Sequence, residues 1–188
     1  HFFNPPRYLK LLEIVSSEEV NAETREKISK FCDIYLGKSI VECKDTPGFI
    51  ANRIGVFWML NAAVKAINAD LSVEEADQII MRVFNAPKTG VFGLIDVVGL
   101  DLLPPVLGSL LQGVSKNDDY HEFRDQPDIF QYMLEHNLIG RKADGGFYKL
   151  IEVGGKRVKH SLNLNTREYA ESKKPSIESL NFGKKDIK

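Results

Sequence analysis

The sequence has few cysteines and no excess of charge of either sign. Its 188 residues include two cysteines, Cys32 and Cys43. Cys32 falls in a helical pattern and Cys43 in a strand pattern, so we expect reduced thiols rather than a disulfide. The 25 lysines and arginines nearly balance the 26 aspartates and glutamates. This balance gives no reason to expect a nucleic-acid partner.

Long apolar runs and metal-binding spacings are also missing. No apolar run approaches the roughly 18 residues that a membrane-spanning helix needs, and no basic stretch followed by an apolar one marks a signal peptide. We therefore expect no membrane partner and a cytoplasmic location. No cysteines and histidines stand at the spacing of metal ligands, so no metal site is expected.

The sequence begins with histidine rather than methionine, which suggests a piece of a longer chain. The first residues, HFFNPP, hold two consecutive prolines. Proline fixes its own φ and disfavours a helical conformation in the residue before it. Residues 1–6 are therefore predicted to be a stiff, non-helical segment that holds side chains in place.

A strand–helix–strand unit follows. Residues 8–15 are predicted to be a buried strand, 22–36 a helix and 39–43 a second strand. Asn21 suits the helix N-cap and Gly37 the left-handed position after its end. Apolar residues at helical spacing give the helix one apolar face: Ile28, Phe31, Cys32, Tyr35 and Leu36. Because two strands make no stable sheet alone, further strands are expected to precede them.

Residues 46–138 have the pattern of an all-α region. Thr46 and Pro47 suit the N-cap and first position of a central, mostly buried helix that reaches about residue 67. Within it, the aromatic residues Phe49, Phe57 and Trp58 are predicted to be core rather than cofactor-binding.

Four more helices complete this region. Ser72 and Glu75 form a capping box for a helix over 73–84. A Pro/Gly-punctuated loop over 85–93 then leads to a short apolar helix that ends near Gly99. The remaining predictions are a helix from an N-cap at Asp101 to Gly113 and a last helix over 127–138.

Near residues 147–162 the pattern changes to a short β-hairpin around VGGK. From 163 onward the chain is polar, and we interpret it as a linker or tail. The predicted division is 1–45, 46–150 and 151–188.

Five motifs occur in a fixed order: HFFNPP, KLLEIV, KDTPGFIANRI, GLIDVVGLD and GRKADGGFYKL. Together, over residues 1 to about 150, they resemble the 3-hydroxyacyl-CoA dehydrogenases of fatty-acid β-oxidation. The resemblance implies that 1–45 is the end of a Rossmann-type NAD-binding domain. It further implies that 46–150 is the all-α C-terminal domain, of the 6-phosphogluconate-dehydrogenase-C-terminal-like kind.

The same resemblance implies NAD as the cofactor and an L-3-hydroxyacyl-CoA as the substrate. It also implies a homo-oligomer formed through the helical domain. The Pro5-Pro6-Arg7-Tyr8 version and the long tail are more similar to fused members that carry an enoyl-CoA hydratase module downstream. Many members have Gly-Pro-Phe-Glu where this chain has Gly90-Val91-Phe92-Gly93, so the acyl-chain preference is left open.

By resemblance, His1 is the catalytic base and Glu13 the carboxylate that orients it. Histidine suits this role because its ordinary pKa of about 6.5 lies near working pH. A carboxylate among the aliphatic residues of KLLEIV also needs a partner if it is buried. The alternatives are that Glu13 lies on the solvent face of its strand and that His1 belongs to a disordered terminus.

By resemblance, Asn4 and Lys142 contact the cofactor, and Asn52 faces the substrate thioester. The alternatives are a turn-forming asparagine before proline for Asn4 and a solvated loop charge for Lys142. The alternative for Asn52, a polar residue in an apolar run, is a hydrogen bond between its helix and a loop. No phosphate-binding role is assigned to Arg53.

Two other functions stay open. One is a non-catalytic assembly module, although such a module needs neither His1 nor Glu13. A 6-phosphogluconate-type dehydrogenase is disfavoured, because no lysine base is placed for a phosphorylated sugar. Since the sequence contains no G-x-G-x-x-G after a strand, the chain by itself is expected to lack turnover.

Overall fold

The computed structural model describes residues 1–84 and 88–180. Its strands are β1 (Leu11–Val15), β2 (Ser39–Cys43), β3 (Tyr148–Val153), β4 (Lys156–Leu162) and β5 (Tyr169–Glu171). Its α-helices are α1 (Ala22–Ile34), α2 (Ala51–Asn68), α3 (Val73–Val83), α4 (Phe92–Val98), α5 (Leu103–Gly113) and α6 (Asp128–Glu135). The predicted order of helices and strands is confirmed from β1 to β4, whereas β5 lies in the segment that was predicted to be a linker or tail.

The first unit is the predicted β–α–β. β1 and β2 pair in parallel, from Leu11 opposite Ser39 to Val15 opposite Cys43. The Asn21 side chain accepts a hydrogen bond from the Thr24 N–H and so caps α1 as predicted. The apolar side chains of α1 face solvent, except for buried Cys32. This unit therefore presents an apolar helix face to solvent.

The segment before β1 is held against the sheet. Phe2 bridges Leu12 in antiparallel fashion. The buried Lys38 ammonium donates to the carbonyl of Leu9 at 2.8 Å and to that of Pro6. These contacts fix a non-helical conformation, as the two prolines predicted, and they bring residue 1 alongside Glu13.

Helix α2 begins later than the sequence predicted. It starts at Ala51, and Thr46 is not its N-cap; residues 47–50 form a turn instead. The reason is the backbone of Gly48 and Phe49, whose φ values of +76° and +46° lie outside the helical region. From Ala51 onward α2 is the central helix, with five residues buried: Val56, Met59, Leu60, Ala63 and Ala66.

Helices α3 and α4 follow the sequence closely. Glu75 N–H donates to Ser72 Oγ, and the Ser72 N–H donates to the Glu75 carboxylate at 2.9 Å, so the capping box is present. Helix α4 ends at Gly99, whose φ of +102° stops the helix. Of the loop predicted over 85–93, residues 85–87 lie outside the described part of the chain.

Helices α5 and α6 differ in their details. Asp101 does not cap α5, because a 3-10 turn at Leu100–Leu102 precedes the helix and Asp101 lies inside that turn. Helix α6 is shorter than the predicted 127–138. A 3-10 helix, Asp119–Phe123, occupies the loop that the sequence left without structure. It buries Tyr120 and Phe123 against Phe57, with ring centroids 5.3 Å from that ring in both cases.

The predicted hairpin forms from β3 and β4, with Tyr148 opposite Ser161. Beyond it the chain is more ordered than a linker. Strand β5 pairs with β4, and buried Leu162 belongs to the helical core. Arg82 donates to the carbonyl of Leu180 at 2.9 Å, which ties the chain to α3. The tail residues 181–188 lie outside the described part.

Three further features concern the described residues, 1–84 and 88–180. There, no single helix is long and apolar enough to cross a membrane, and the helix pair that reaches that length together, 92–98 and 100–113, is bent by 76°. No group of three potential metal ligands occurs in the same ranges. Both cysteines are free thiols.

Candidate active site

The structure brings His1 and Glu13 together. His1 Nδ1 lies 2.8 Å from Glu13 Oε2. The backbone supports the contact, since the Glu13 N–H donates to the His1 carbonyl at 3.1 Å. The Glu13 side chain is 1% exposed and the His1 side chain 28%. The solvent-face alternative for Glu13 is therefore wrong, and a buried carboxylate holds one ring nitrogen while Nε2 is left for a ligand.

The second oxygen of Glu13 accepts two backbone hydrogen bonds. The N–H groups of Ile50 and Ala51 donate to Oε1 at 3.0 and 2.8 Å. They are among the unpaired donors at the start of α2, where the helix dipole also favours negative charge. Three donors thus compensate the burial of this carboxylate. The sequence did not indicate that Glu13 also caps α2.

Two aromatic rings lie against the imidazole. The ring centroids of Phe3 and Phe49 are 4.5 and 5.5 Å from that of His1. The prediction that Phe49 is a core residue is thus wrong, whereas Phe57 and Trp58 do pack against the core. The reason is the left-handed turn at residues 48–49, which directs Phe49 toward His1. The Pro-Gly dipeptide before it was a turn signal that could have revealed this.

His1 opens into a cavity of about 570 Å³. Its polar end is formed by His1, Asn4 and Asn52, with Asn52 in the first turn of α2. The remaining wall is mostly apolar, from α2, α4 and the start of α5: Met59, Leu94, Val97, Val98, Leu102, Leu103 and Val106. This size and lining are typical of a small-molecule site with a polar reacting end.

Cys43 is the remaining nucleophilic group near Glu13. Burial, and then the charge and hydrogen bonding of the Glu13 carboxylate, raise the pKa of its thiol. A thiol with a raised pKa is poorly ionised and a poor nucleophile. The arrangement therefore supports a base at His1 rather than thiol chemistry.

Lys142 is placed apart from the His1 cavity. Its Nζ lies 2.6 Å from Asp101 Oδ1, and this pair sits beside Gly99. It is not among the residues that line the cavity. Four of the five predicted site residues thus lie together: His1, Glu13, Asn4 and Asn52. Lys142 instead contacts Asp101 beside Gly99.

Two buried carboxylates, one on α3 and one on α4, stabilise the part of the chain that forms the apolar wall. Asp77 accepts hydrogen bonds from the N–H of Phe92 at 2.7 Å, of Gly93 at 3.2 Å, and from the Tyr148 hydroxyl at 2.9 Å. Asp96 accepts from the N–H groups of Phe147 and Tyr148, both at 2.8 Å. The two aspartates fix α4 and the turn before β3.

Burial is the main cause of the raised pKa values of Asp77 and Asp96. It raises the pKa of Asp77 to about 6, and the same cause raises the pKa of Asp96 to about 6. Burial and the charge of Asp77 also raise the pKa of Tyr148. The sequence analysis missed both aspartates, because nothing in the helical pattern showed which carboxylates would be enclosed.

The geometry can be compared with known proteins. Residues 1–46 match the family described as 3-hydroxyacyl-CoA dehydrogenase, NAD binding domain, and residues 48–150 match 3-hydroxyacyl-CoA dehydrogenase, C-terminal domain.

Two relatives are similar over nearly all of the chain. A putative fatty acid oxidation complex trifunctional enzyme of Rickettsia prowazekii is 44% identical over 177 residues, covering 94% of this chain and 25% of that protein. A probable 3-hydroxyacyl-CoA dehydrogenase of Bacillus subtilis is 37% identical over 187 residues, covering 98% of this chain and 23% of that protein. The chain thus spans about a quarter of the length of these relatives.

A solved structure is similar as well. The crystal structure of (S)-3-hydroxybutyryl-CoA dehydrogenase PaaH1 from Ralstonia eutropha superposes with a TM-score of 0.67 at 27% identity, covering 78% of this chain and 49% of that one. The match to the C-terminal domain alone covers more than half of the 188 residues. On these grounds the chain belongs to the 3-hydroxyacyl-CoA dehydrogenase family.

Proposed function

We propose that this chain supplies the catalytic base and the substrate cavity of an NAD-dependent L-3-hydroxyacyl-CoA dehydrogenase of fatty-acid oxidation. The observation that carries the proposal is the His1–Glu13 pair, 2.8 Å apart, at the polar end of an otherwise apolar cavity. Family membership supports the same reaction.

The chemistry assigned to the chain is proton transfer. The contact with Glu13 holds the proton on Nδ1, so Nε2 carries the lone pair and can accept the proton of a substrate hydroxyl. The Glu13 carboxylate then stabilises the imidazolium that forms, in the manner of a catalytic triad. NAD, when bound, would supply the acceptor for the hydride that leaves the carbon bearing this hydroxyl.

The cavity suits an acyl thioester. Asn52 lies at its polar end, where an amide can hydrogen-bond the thioester region, and the apolar wall from α2, α4 and α5 suits an acyl chain. Burial of an alkyl chain there contributes about 0.8 kcal/mol per CH₂ group. The preferred chain length stays open.

The residues present fit only part of the cofactor. Asn4, at the polar end beside His1, can donate to and accept from a carboxamide, which suits the nicotinamide end. Lys142 is proposed to reach the ribose side after exchanging its contact with Asp101. No G-x-G-x-x-G occurs in the sequence to hold the pyrophosphate.

The test uses the full-length protein with a His1→Gln substitution. Loss of the base is expected to lower kcat by about 10²- to 10⁴-fold, while NAD affinity, measured by titration calorimetry, stays within about twofold. His136→Gln, at an exposed position at the end of α6, is the matched control and should leave both unchanged. A His1→Gln protein that loses NAD binding but keeps its kcat contradicts the assigned role.

The domain arrangement and the location of the full-length protein are part of this proposal. We assign 1–45 to the end of an NAD-binding domain, 46–150 to a helical domain of the 6-phosphogluconate-dehydrogenase-C-terminal-like class, and 151–188 to an extension. The trifunctional name of the Rickettsia relative supports a longer protein with a fused enoyl-CoA hydratase module. A cytoplasmic location is part of the same proposal. The sequence of the full reading frame tests the domain order. An enoyl-CoA hydration assay of the full-length protein tests the fused module.

We also propose that the helical domain assembles with a second copy of itself. Ile54 on α2 is 65% exposed, and with Trp58 it lines an open depression beside residues 115–120. Ile54→Asp is expected to convert a dimer to a monomer in light scattering. A dimer without turnover would instead favour the assembly module, for which the His1–Glu13 pair has no purpose.

A further inference from the structure

The turn before α2 contains a phenylalanine in a costly conformation. Phe49 has φ +46°, next to Gly48 at +76°. Glycine adopts this region freely, whereas a residue with a Cβ atom is strained in it. Strained residues of this kind persist where the surroundings hold them, often at functional sites. The reason for a phenylalanine in this turn has two parts: the turn itself, which glycine could also form, and the ring, which glycine lacks.

The backbone supplies the first part of the reason. Phe49 is left-handed, while Ile50 is right-handed at φ −104° and ψ −57°. Alternation of this kind makes successive N–H groups converge into a concave anion site. The N–H groups of Ile50 and Ala51 do converge, on Glu13 Oε1 at 3.0 and 2.8 Å.

The side chain supplies the second part. The same conformation brings the Phe49 ring to 5.5 Å from the His1 ring, tilted by 54°. At that distance a ring excludes water and attracts a cation through its π-electrons. One residue thus contacts the base with its ring, while its backbone orients the amides that hold the partner carboxylate.

We propose that Phe49 is a positioning residue for the His1–Glu13 pair. Its left-handed backbone directs two amides at Glu13, and its ring restrains the imidazole so that Nδ1 stays on Glu13 and Nε2 on the substrate side. The proposal deepens the proposed function, on which its kinetic part rests.

The experiment compares Phe49→Gly, Phe49→Leu and Phe49→Tyr in the full-length protein. Glycine keeps the left-handed turn without strain and removes the ring, so stability is expected to be retained while kcat falls by about tenfold or more, with KM within about threefold. Leucine, which also lacks the ring, is expected to lower kcat similarly, and it replaces glycine in the test should that variant unfold. Tyrosine keeps the ring and should stay within about twofold of wild type.

A second readout does not need turnover. The ¹⁵N chemical shifts of the His1 ring report which nitrogen carries the proton. Wild type and Phe49→Tyr are expected to be mostly the Nδ1–H tautomer, and the glycine and leucine variants a mixture. Phe84→Gly, which removes a phenylalanine that is 63% exposed at the end of α3, is the control and should change neither kcat nor the tautomer.

The outcomes separate the two proposals. An inactive wild type whose tautomer still shifts in Phe49→Gly and Phe49→Leu overturns the proposed function and supports the positioning role. An active wild type whose kcat and tautomer are unchanged in both variants overturns the positioning role and leaves the function standing.

Discussion

At the scale of single residues, buried carboxylates organise this chain. Glu13, Asp77 and Asp96 are each nearly inaccessible to solvent. Each accepts at least two hydrogen bonds, and most of the donors are backbone N–H groups near the start of a helix or in a turn. Glu13 joins His1 to α2, while the two aspartates hold α4 and the turn before β3. Carboxylates buried away from solvent thus hold the segments that form the walls of the site.

Asp96 is expected to make stability depend on pH. Its pKa is about 6 in the folded chain against an ordinary 3.8, so between these values the folded state binds a proton that the unfolded state lacks. The resulting stabilisation is complete below the lower value and is lost as the pH rises through the upper one.

Asp96→Asn removes this titration. The stability of wild type relative to the variant should therefore rise by about 1–3 kcal/mol from pH 7 to pH 4, measured by urea unfolding at each pH. The exposed Asp33→Asn is the control and should show no such trend. A constant difference between wild type and Asp96→Asn across this range would show that burial does not shift this carboxyl.

At the scale of elements, the turn between β2 and α2 decides where the central helix begins. A Cβ atom on Gly48 would lie 2.6 Å from Leu110 Cδ2 and 3.2 Å from the backbone nitrogen of Arg53. The turn is thus packed against α5 and against the first turn of α2. A left-handed turn and a tight contact together fix the direction from which α2 meets Glu13.

Gly48→Ala is expected to destabilise the chain more than Gly37→Ala. Both positions have positive φ, at +76° and +62°, so each alanine costs about 1–2 kcal/mol for its conformation. Gly37 has nothing within 4 Å of the added atom. Overpacking at Gly48 should add about 1–3 kcal/mol. Urea unfolding of both variants measures the difference, and equal losses would mean that Leu110 moves aside without cost.

At the scale of the whole molecule, the β1–α1–β2 unit is incomplete as a folding layer. Within the described residues its parallel sheet has only two strands, and the exposed side of α1 carries apolar residues, with Phe31 and Tyr35 in contact at 5.4 Å between ring centroids. Parallel sheets normally have both faces covered. The remainder of an NAD-binding domain would cover these surfaces.

A polypeptide of these 188 residues is therefore expected to show no dehydrogenase turnover. It contains the His1–Glu13 pair and the adjoining cavity, but its sequence has no G-x-G-x-x-G turn for the pyrophosphate. The assay follows NADH oxidation with acetoacetyl-CoA, with a His1→Ala polypeptide as the background. Oxidation above that background would show that the cofactor binds through residues of this chain alone.

The sequence by itself determined the order and type of the helices and strands from β1 to β4, because hydrophobic periodicity, the Asn21 cap and the Ser72–Glu75 box act over a few neighbouring residues. It also indicated His1, Glu13, Asn4 and Asn52, through motifs whose spacing is characteristic of the family. The tertiary structure alone decided that Glu13 caps α2, that Phe49 contacts His1, that Lys142 pairs with Asp101, and that Asp77 and Asp96 are enclosed. Each of these depends on contacts between segments distant in the chain, and a local pattern carries no information about which buried charge will meet which distant backbone amide.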